Sequence, residues 1–169
     1  MFYSQEFTQQ DVWVSEQLKN KRDGTFLDIG CHHYKDINNT YYFESELNWR
    51  GIGIDRDGTW KEEWEKNRKS PFICADAVTM DYNSLLKEYN MPDIIDYLSM
   101  DLEPPTLTLQ ALRKLFETNY SFNVITYETD WYREKSTQEE SRRLFKERDY
   151  ILVCERNSQD DFYVHKRLL

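Results

Sequence analysis

Five acidic residues are notable for where they fall. Asp28, Asp55, Asp76, Asp101 and Glu128 each lie at or just beside the end of a short apolar run, at successive steps of 27, 21, 25 and 27 residues. The runs are Thr25–Ile29, Gly51–Ile54, Pro71–Ala75, Ile94–Met100 and Phe122–Tyr127, and their composition is that of buried strands. Each step is about one strand–helix unit. If the strands run parallel, their carboxyl ends share one edge, where open α/β folds bind ligands. Five carboxylates on one edge repel one another unless something cationic or rich in hydroxyls sits among them. Acids make up 31 of the 169 residues and favour helix N-termini, so chance explains one such acid more easily than the whole register.

Asp55 is the sharpest of the five. It closes Gly51-Ile-Gly-Ile and lies 25 residues after Gly30, about where a nucleotide-binding sheet holds an acid against ribose hydroxyls. A carboxylate can accept from both hydroxyls of one ribose. A dinucleotide also needs glycines that let the backbone approach its pyrophosphate. Cys31, His32 and His33 carry side chains at those positions. The pattern therefore asks for a nucleoside without a pyrophosphate, and S-adenosylmethionine fits: a positive sulfonium, free ribose hydroxyls and a polar amino-acid end.

The elements that must position these residues follow from the pattern between the strands. Helices are expected at Thr8–Asn20 with Thr8 as cap, Thr40–Leu47, Asp57–Arg68, Asp81–Tyr89, Pro105–Phe116 and Arg133–Arg148. Asp57–Arg68 carries a Thr59…Glu62 capping box with Trp60 and Trp64 on one face. Pro105–Phe116 stripes Leu109, Leu112 and Leu115 toward a core, whereas Arg133–Arg148 has little apolar content and reads as exposed. The last two runs, Tyr150–Cys154 and Asp161–His165, read as a hairpin. Strands alternating with helices and then a hairpin predict one α/β domain over 1–169, mainly parallel, with an antiparallel strand at the end. A hydrophobic share of 39% with 15% aromatics supplies a core. The net charge of −9 argues against a nucleic-acid backbone as main partner. There is no signal-like start and no apolar run of membrane length, and the three cysteines lack CxxC spacing, which together suit a cytoplasmic protein with free thiols.

Five segments in order, "SQEFTQQDVWV", "FLDIGCHHYKDINNTYYFE", "GIGIDRD", "IDYLSMDLE" and "FNVITYETD", resemble the FkbM-type S-adenosylmethionine-dependent methyltransferases along nearly the whole chain. The resemblance implies a class I methyltransferase fold. That is a Rossmann-like three-layer sandwich on a mainly parallel seven-stranded sheet whose last strand is antiparallel. It also implies methyl transfer to a hydroxyl of a sugar or small metabolite, while the charge and the apolar runs already speak against nucleic acid and membrane as partners. By position, Asp28, Gly30 and Cys31 lie in the loop for the cofactor's amino-acid end, and Asp55 with Arg56 holds the ribose. Asp76 and Ala77 sit by the adenine, and Asp101 and Glu103 flank the methyl. The chain departs from the family after Asp101-Leu-Glu103, where Pro104-Pro105-Thr106 replaces the usual Gly-Ala-Glu. It departs again at Glu128-Thr129-Asp130, where the family has Glu-His-Asn. These losses leave open a cofactor-binding module without catalysis, or a partner subunit.

A hydroxyl acceptor must lose a proton, to a base or with the help of a metal. Asp101, Glu103, Glu128 and Asp130 serve either use, and the reading favours a base without metal, with Glu128 in that role and Asp101 orienting the cofactor. His32 and His33 are a base, ligands or loop residues. Cys31 is a nucleophile or small packing. Asn38, Asn39 and Thr40 either bond the cofactor carboxylate or cap a helix. Trp131 and Tyr132 either stack on an acceptor or cover the core.

Overall fold

The computed structural model describes residues 1–130, 133 and 135–169, and Trp131 and Tyr132 lie outside the described residues. The apolar runs form β1 (Thr25–Ile29), β2 (Arg50–Asp55), β3 (Phe72–Cys74), β4 (Ile94–Met100) and β5 (Ser121–Glu128), followed by β6 (Tyr150–Arg156) and β7 (Asp160–His165). They join in one seven-stranded sheet in the order β3-β2-β1-β4-β5-β7-β6. The first five strands are parallel. β7 runs antiparallel to both β5 and β6, so it inserts between them.

The helices are α1 (Gln10–Gln17), α2 (Tyr41–Leu47), α3 (Lys61–Asn67), α4 (Tyr82–Glu88), α5 (Pro105–Leu115) and α6 (Lys135–Glu147). They make the outer two layers. Side-chain alternation along β1 sends Leu27 and Ile29 to one face, packed with Leu86 of α4, Leu112 of α5 and Phe145 of α6. Phe26 goes to the other face with Trp13 and Val14 of α1 and Phe43 of α2. β1 is buried throughout, as a central parallel strand covered on both faces must be. Among the described residues, no helix is long and apolar enough to cross a membrane.

Three local expectations change. α1 starts at Gln10 rather than Thr8, because the buried Thr8 hydroxyl donates to Gln10 Oε1 (2.5 Å) instead of capping. The Thr59…Glu62 capping box is absent: Asp57 takes the Thr59 amide (3.0 Å) and starts a 3₁₀ turn, Gly58–Trp60, ahead of α3. The 3₁₀ turn moves the start of α3 past Thr59, to Trp60, which has no side-chain cap. α6 is not simply exposed, since Phe145 is fully buried against Phe116, Tyr127, Tyr150 and Tyr163.

Candidate active site at the carboxyl edge of the sheet

The strand-end acids converge where the topology requires. A cavity of about 330 Å³ opens along the carboxyl ends of β1, β2, β3 and β4. Its wall includes Asp28, Gly30, Asp55, Asp76 and Asp101, and the size suits a small molecule (~300–1,000 Å³). Cys31, Asn39, Arg56, Ala77 and Glu103 also line it, as do His32 and Asn38. Thr40 and Glu128 do not.

Gly30 is the tightest point. Its φ is +85°, and a Cβ there would lie 1.8 Å from the carbonyl oxygen of Asp101. Only glycine lets the β1 turn cross the end of β4 this closely. The loop beyond it is held by its own polar groups. Asp55 accepts from the amides of His32 and Asp57 (2.9 Å each), which fixes its carboxylate at the cavity. Asp76 accepts from the Val78 amide (2.9 Å). Asn38 Oδ1 takes the amides of Thr40 and Tyr41 (2.9 and 2.8 Å), so Asn38 caps α2 by side chain and Thr40 does not.

Thr40 has another task. Its hydroxyl donates to Asp28 Oδ2 (2.7 Å). Burial pushes the Asp28 carboxyl up to about 6, while the Thr40 bond and the charge of Arg68 act against that rise. Arg68 is buried, paired with Glu44 (2.7 Å), and also donates to Tyr34 O and Thr40 Oγ1. Sequence reasoning missed Arg68: at the end of a Lys/Glu-rich helix it reads as solvated, and Glu44 lies 24 residues away.

The remaining loop candidates separate. Cys31 packs in a small cluster with Trp64 and Phe72. Burial raises its thiol, which removes it as a nucleophile at neutral pH. His33 accepts the amide of Asp36 through Nδ1 (2.8 Å) and lies 3.5 Å from Glu63 through Nε2. It anchors the loop. His32 stays exposed on the cavity rim with its ring 4.9 Å from that of Trp60.

At the β4–β5–β7 end the character changes. Asp101 follows β4 and Glu128 ends β5, and their carboxyls lie close enough to shift each other's titration. Burial pushes both carboxyls upward; the contact with Glu128 works against the rise at Asp101, whereas the contact with Asp101 adds to the rise at Glu128, which reaches about 11. Glu128 stands directly across from Asp160 in the β5–β7 register. Asp160, buried and close to the charges of Asp101 and Asp130, is pushed up to about 8. Asp160 was not legible as a site residue, because it closes the turn between two strands and only antiparallel insertion of β7 brings it to this edge. Asp130 is 2% exposed and Arg133 donates to its Oδ2 (3.2 Å) and to Glu103.

No protein-family model matches the chain, and no curated protein matches it in sequence. Solved structures do match it in shape. An rRNA-methylase structure from Clostridium thermocellum superposes with a TM-score of 0.58 at 18% identity, over 90% of this chain and 92% of that one. M. capricolum TrmK, solved with S-adenosyl-homocysteine, gives 0.56 at 13% identity, over 91% of this chain and 67% of its own. A S-adenosylmethionine-dependent O-methyltransferase from Thermotoga maritima gives 0.60 at 10% identity, over 96% and 66%.

The fold is that of the class I methyltransferases. Identities this low carry the architecture alone. In that fold the strand order here, with β7 antiparallel beside β5, sets the cavity at the carboxyl ends of the central strands.

Proposed function

We propose that this chain is a S-adenosylmethionine-dependent methyltransferase of FkbM type, acting on a hydroxyl of a small acceptor. The observation that carries the reading is the order of groups along one continuous wall. Gly30 and Asn39 lie at the β1 loop, Asp55 at β2, Asp76 with Ala77 after β3, and Asp101 after β4. That sequence of groups suits, in turn, an amino-acid end, a ribose, an adenine and a positive sulfonium. The Gly30 cradle, which a Cβ would fill, supports close backbone approach at the first of these.

When bound, the cofactor supplies an electrophilic methyl on a positively charged sulfur. The chain's residues do the rest. Asp55, pinned by two amides, accepts from the ribose hydroxyls without reorganising. Asp101 would stand toward the cofactor's positive end, whose charge would favour the ionised form of the Asp101–Glu128 pair. The hydroxyl proton passes to the carboxylate pair, with Glu128 as the group that holds it. Pro104 and Pro105 fit the start of α5, where a missing amide costs nothing.

The acceptor class rests on the FkbM resemblance and on the acids lining the acceptor end. The rRNA-methylase likeness makes RNA a fair competitor, against which the net charge of −9 weighs. The lost family acid at Pro104-Pro105-Thr106 favours the second reading, a binding module without catalysis. Labelled S-adenosylmethionine tests both: binding followed by label transfer to hydroxyl compounds is expected. Transfer to RNA or amines alone overturns the acceptor class, binding without transfer to any acceptor supports the module, and no binding removes the whole reading.

A further inference from the structure

The acids beyond Asp101 are more numerous than proton removal needs, and one of them is unfinished. Glu103, Glu128 and Asp130 each present a carboxylate oxygen, and the three oxygens all lie within 4.8 Å of one another. Two oxygens on one cation stand at most twice the metal–oxygen distance apart, about 4.2 Å for magnesium and about 4.6–5.2 Å for calcium. The cluster therefore has cation-binding dimensions, and Glu103, an exposed side chain, can close it further.

The second observation is independent of the cluster. Asp130 is almost wholly buried, yet its Oδ1 has no hydrogen-bond partner among the described residues. A buried, unpaired carboxylate oxygen costs several times an ordinary hydrogen bond unless a ligand answers it. Its backbone is committed to that placement: φ is +40°, and the amides of Thr129 and Asp130 both donate to Gln159 O. Arg133 answers the other oxygen of Asp130 and one of Glu103, and among the described ion pairs it is the only cation that reaches either. The directly opposed Glu128 and Asp160 add a like-charge pair that a sheet ordinarily avoids.

We propose that Glu103, Glu128 and Asp130 bind one hard divalent cation of the magnesium, manganese or calcium class beside the cavity, where Glu103 reaches its wall. An all-oxygen donor set of three carboxylates excludes the soft metals and leaves coordination positions for water and an acceptor hydroxyl. Such an ion lowers the pKa of a bound hydroxyl, so the proton leaves more readily. This places the ion where the sequence favours an unassisted base. The ion-binding claim stands apart from the cofactor reading.

Manganese(II) supplies the test, because its electron paramagnetic resonance signal falls when the ion binds. One manganese per chain is expected in the wild type. Affinity should drop by at least about tenfold in Asp130→Asn and in Glu103→Gln, and remain in the surface control Glu62→Gln. Glu103 is exposed, so its variant stays informative if Asp130→Asn does not fold. Calcium should displace the manganese. Absent binding, or binding unchanged in Glu103→Gln, overturns the proposal; so does displacement of manganese by none of the hard cations. Titrating the same preparation with S-adenosylhomocysteine separates failure of this site from failure of the cofactor reading.

Discussion

On the β1–β3 side of the carboxyl edge, three acids have donors of their own. Asp28 has the Thr40 hydroxyl, Asp55 the amides of His32 and Asp57, and Asp76 the amide of Val78. On the β4–β5–β7 side, acids face acids: Asp101 meets Glu128, Glu128 lies across from Asp160, and Asp130 keeps one oxygen unpaired among the described residues. The first half is finished by the protein. The second half crowds its acids, an arrangement that the cationic cofactor and the divalent ion we propose would answer.

The largest test of that contrast is Glu128→Gln. Turnover on an identified acceptor should fall by roughly 10²–10⁴-fold, the usual worth of a positioned base. Cofactor affinity should hold, and the free protein should melt no lower than wild type, because one member of a repelling set is gone. Single-turnover assays with a melting curve check both; normal turnover places the proton acceptor elsewhere.

Gly30→Ala probes the finished half. A Cβ on the Asp101 carbonyl, at a left-handed φ, should cost roughly 3 kcal/mol or more. For a chain of this size that is about 6–12 °C in Tm by calorimetry. A variant melting within a degree or two of wild type would mean that the turn is not tight.

What the sequence disclosed and concealed follows the same division. Apolar runs made β1 and β4 legible to the residue, because strands covered on both faces are mostly apolar; the buried acids within them, Asp28 and Asp96, are each hydrogen-bonded. Asp28, Asp55, Asp76 and Asp101 were legible because parallel topology turns strand-end spacing into a shared edge. Asp160 was hidden, since its place depends on which strand the final hairpin joins, and that is decided by packing. Thr40 was read toward the cofactor, yet its hydroxyl serves Asp28, a bond across 12 residues that no local pattern encodes. Arg68 was hidden for the same reason.

Acidity offers a third test. Asp28 (about 6) and Asp160 (about 8) have folded pKa values raised above the usual carboxylate range. Both bind protons more tightly in the folded state, so their contribution is full at low pH and is lost as pH rises through those values. Arg68 acts against the rise at Asp28, and Arg156 acts against that at Asp160, where Asp101, Asp130 and Asp161 add to it. The Tm of the free protein should therefore fall between pH 5 and about pH 9. A Tm that rises over that window would contradict the crowding of acids at this edge.

A smaller effect is expected from Thr40→Val, which removes one hydroxyl bond to Asp28 and should cost about 1 kcal/mol. Thermal melting checks it. The loss should grow as pH rises, because the bond favours the ionised carboxylate.

The central claim is that the strand-end acids hold a nucleoside cofactor without a pyrophosphate, and Asp55 is its most exposed point. Isothermal titration of S-adenosylhomocysteine into the wild type and Asp55→Ala, with NAD as competitor, tests it directly. One molecule of S-adenosylhomocysteine should bind per chain, more tightly than NAD. Asp55→Ala should weaken it by about 1.5–3 kcal/mol, the range for hydrogen bonds to a charged group. Unchanged affinity in a folded Asp55→Ala protein, or tighter binding of NAD, would contradict the account.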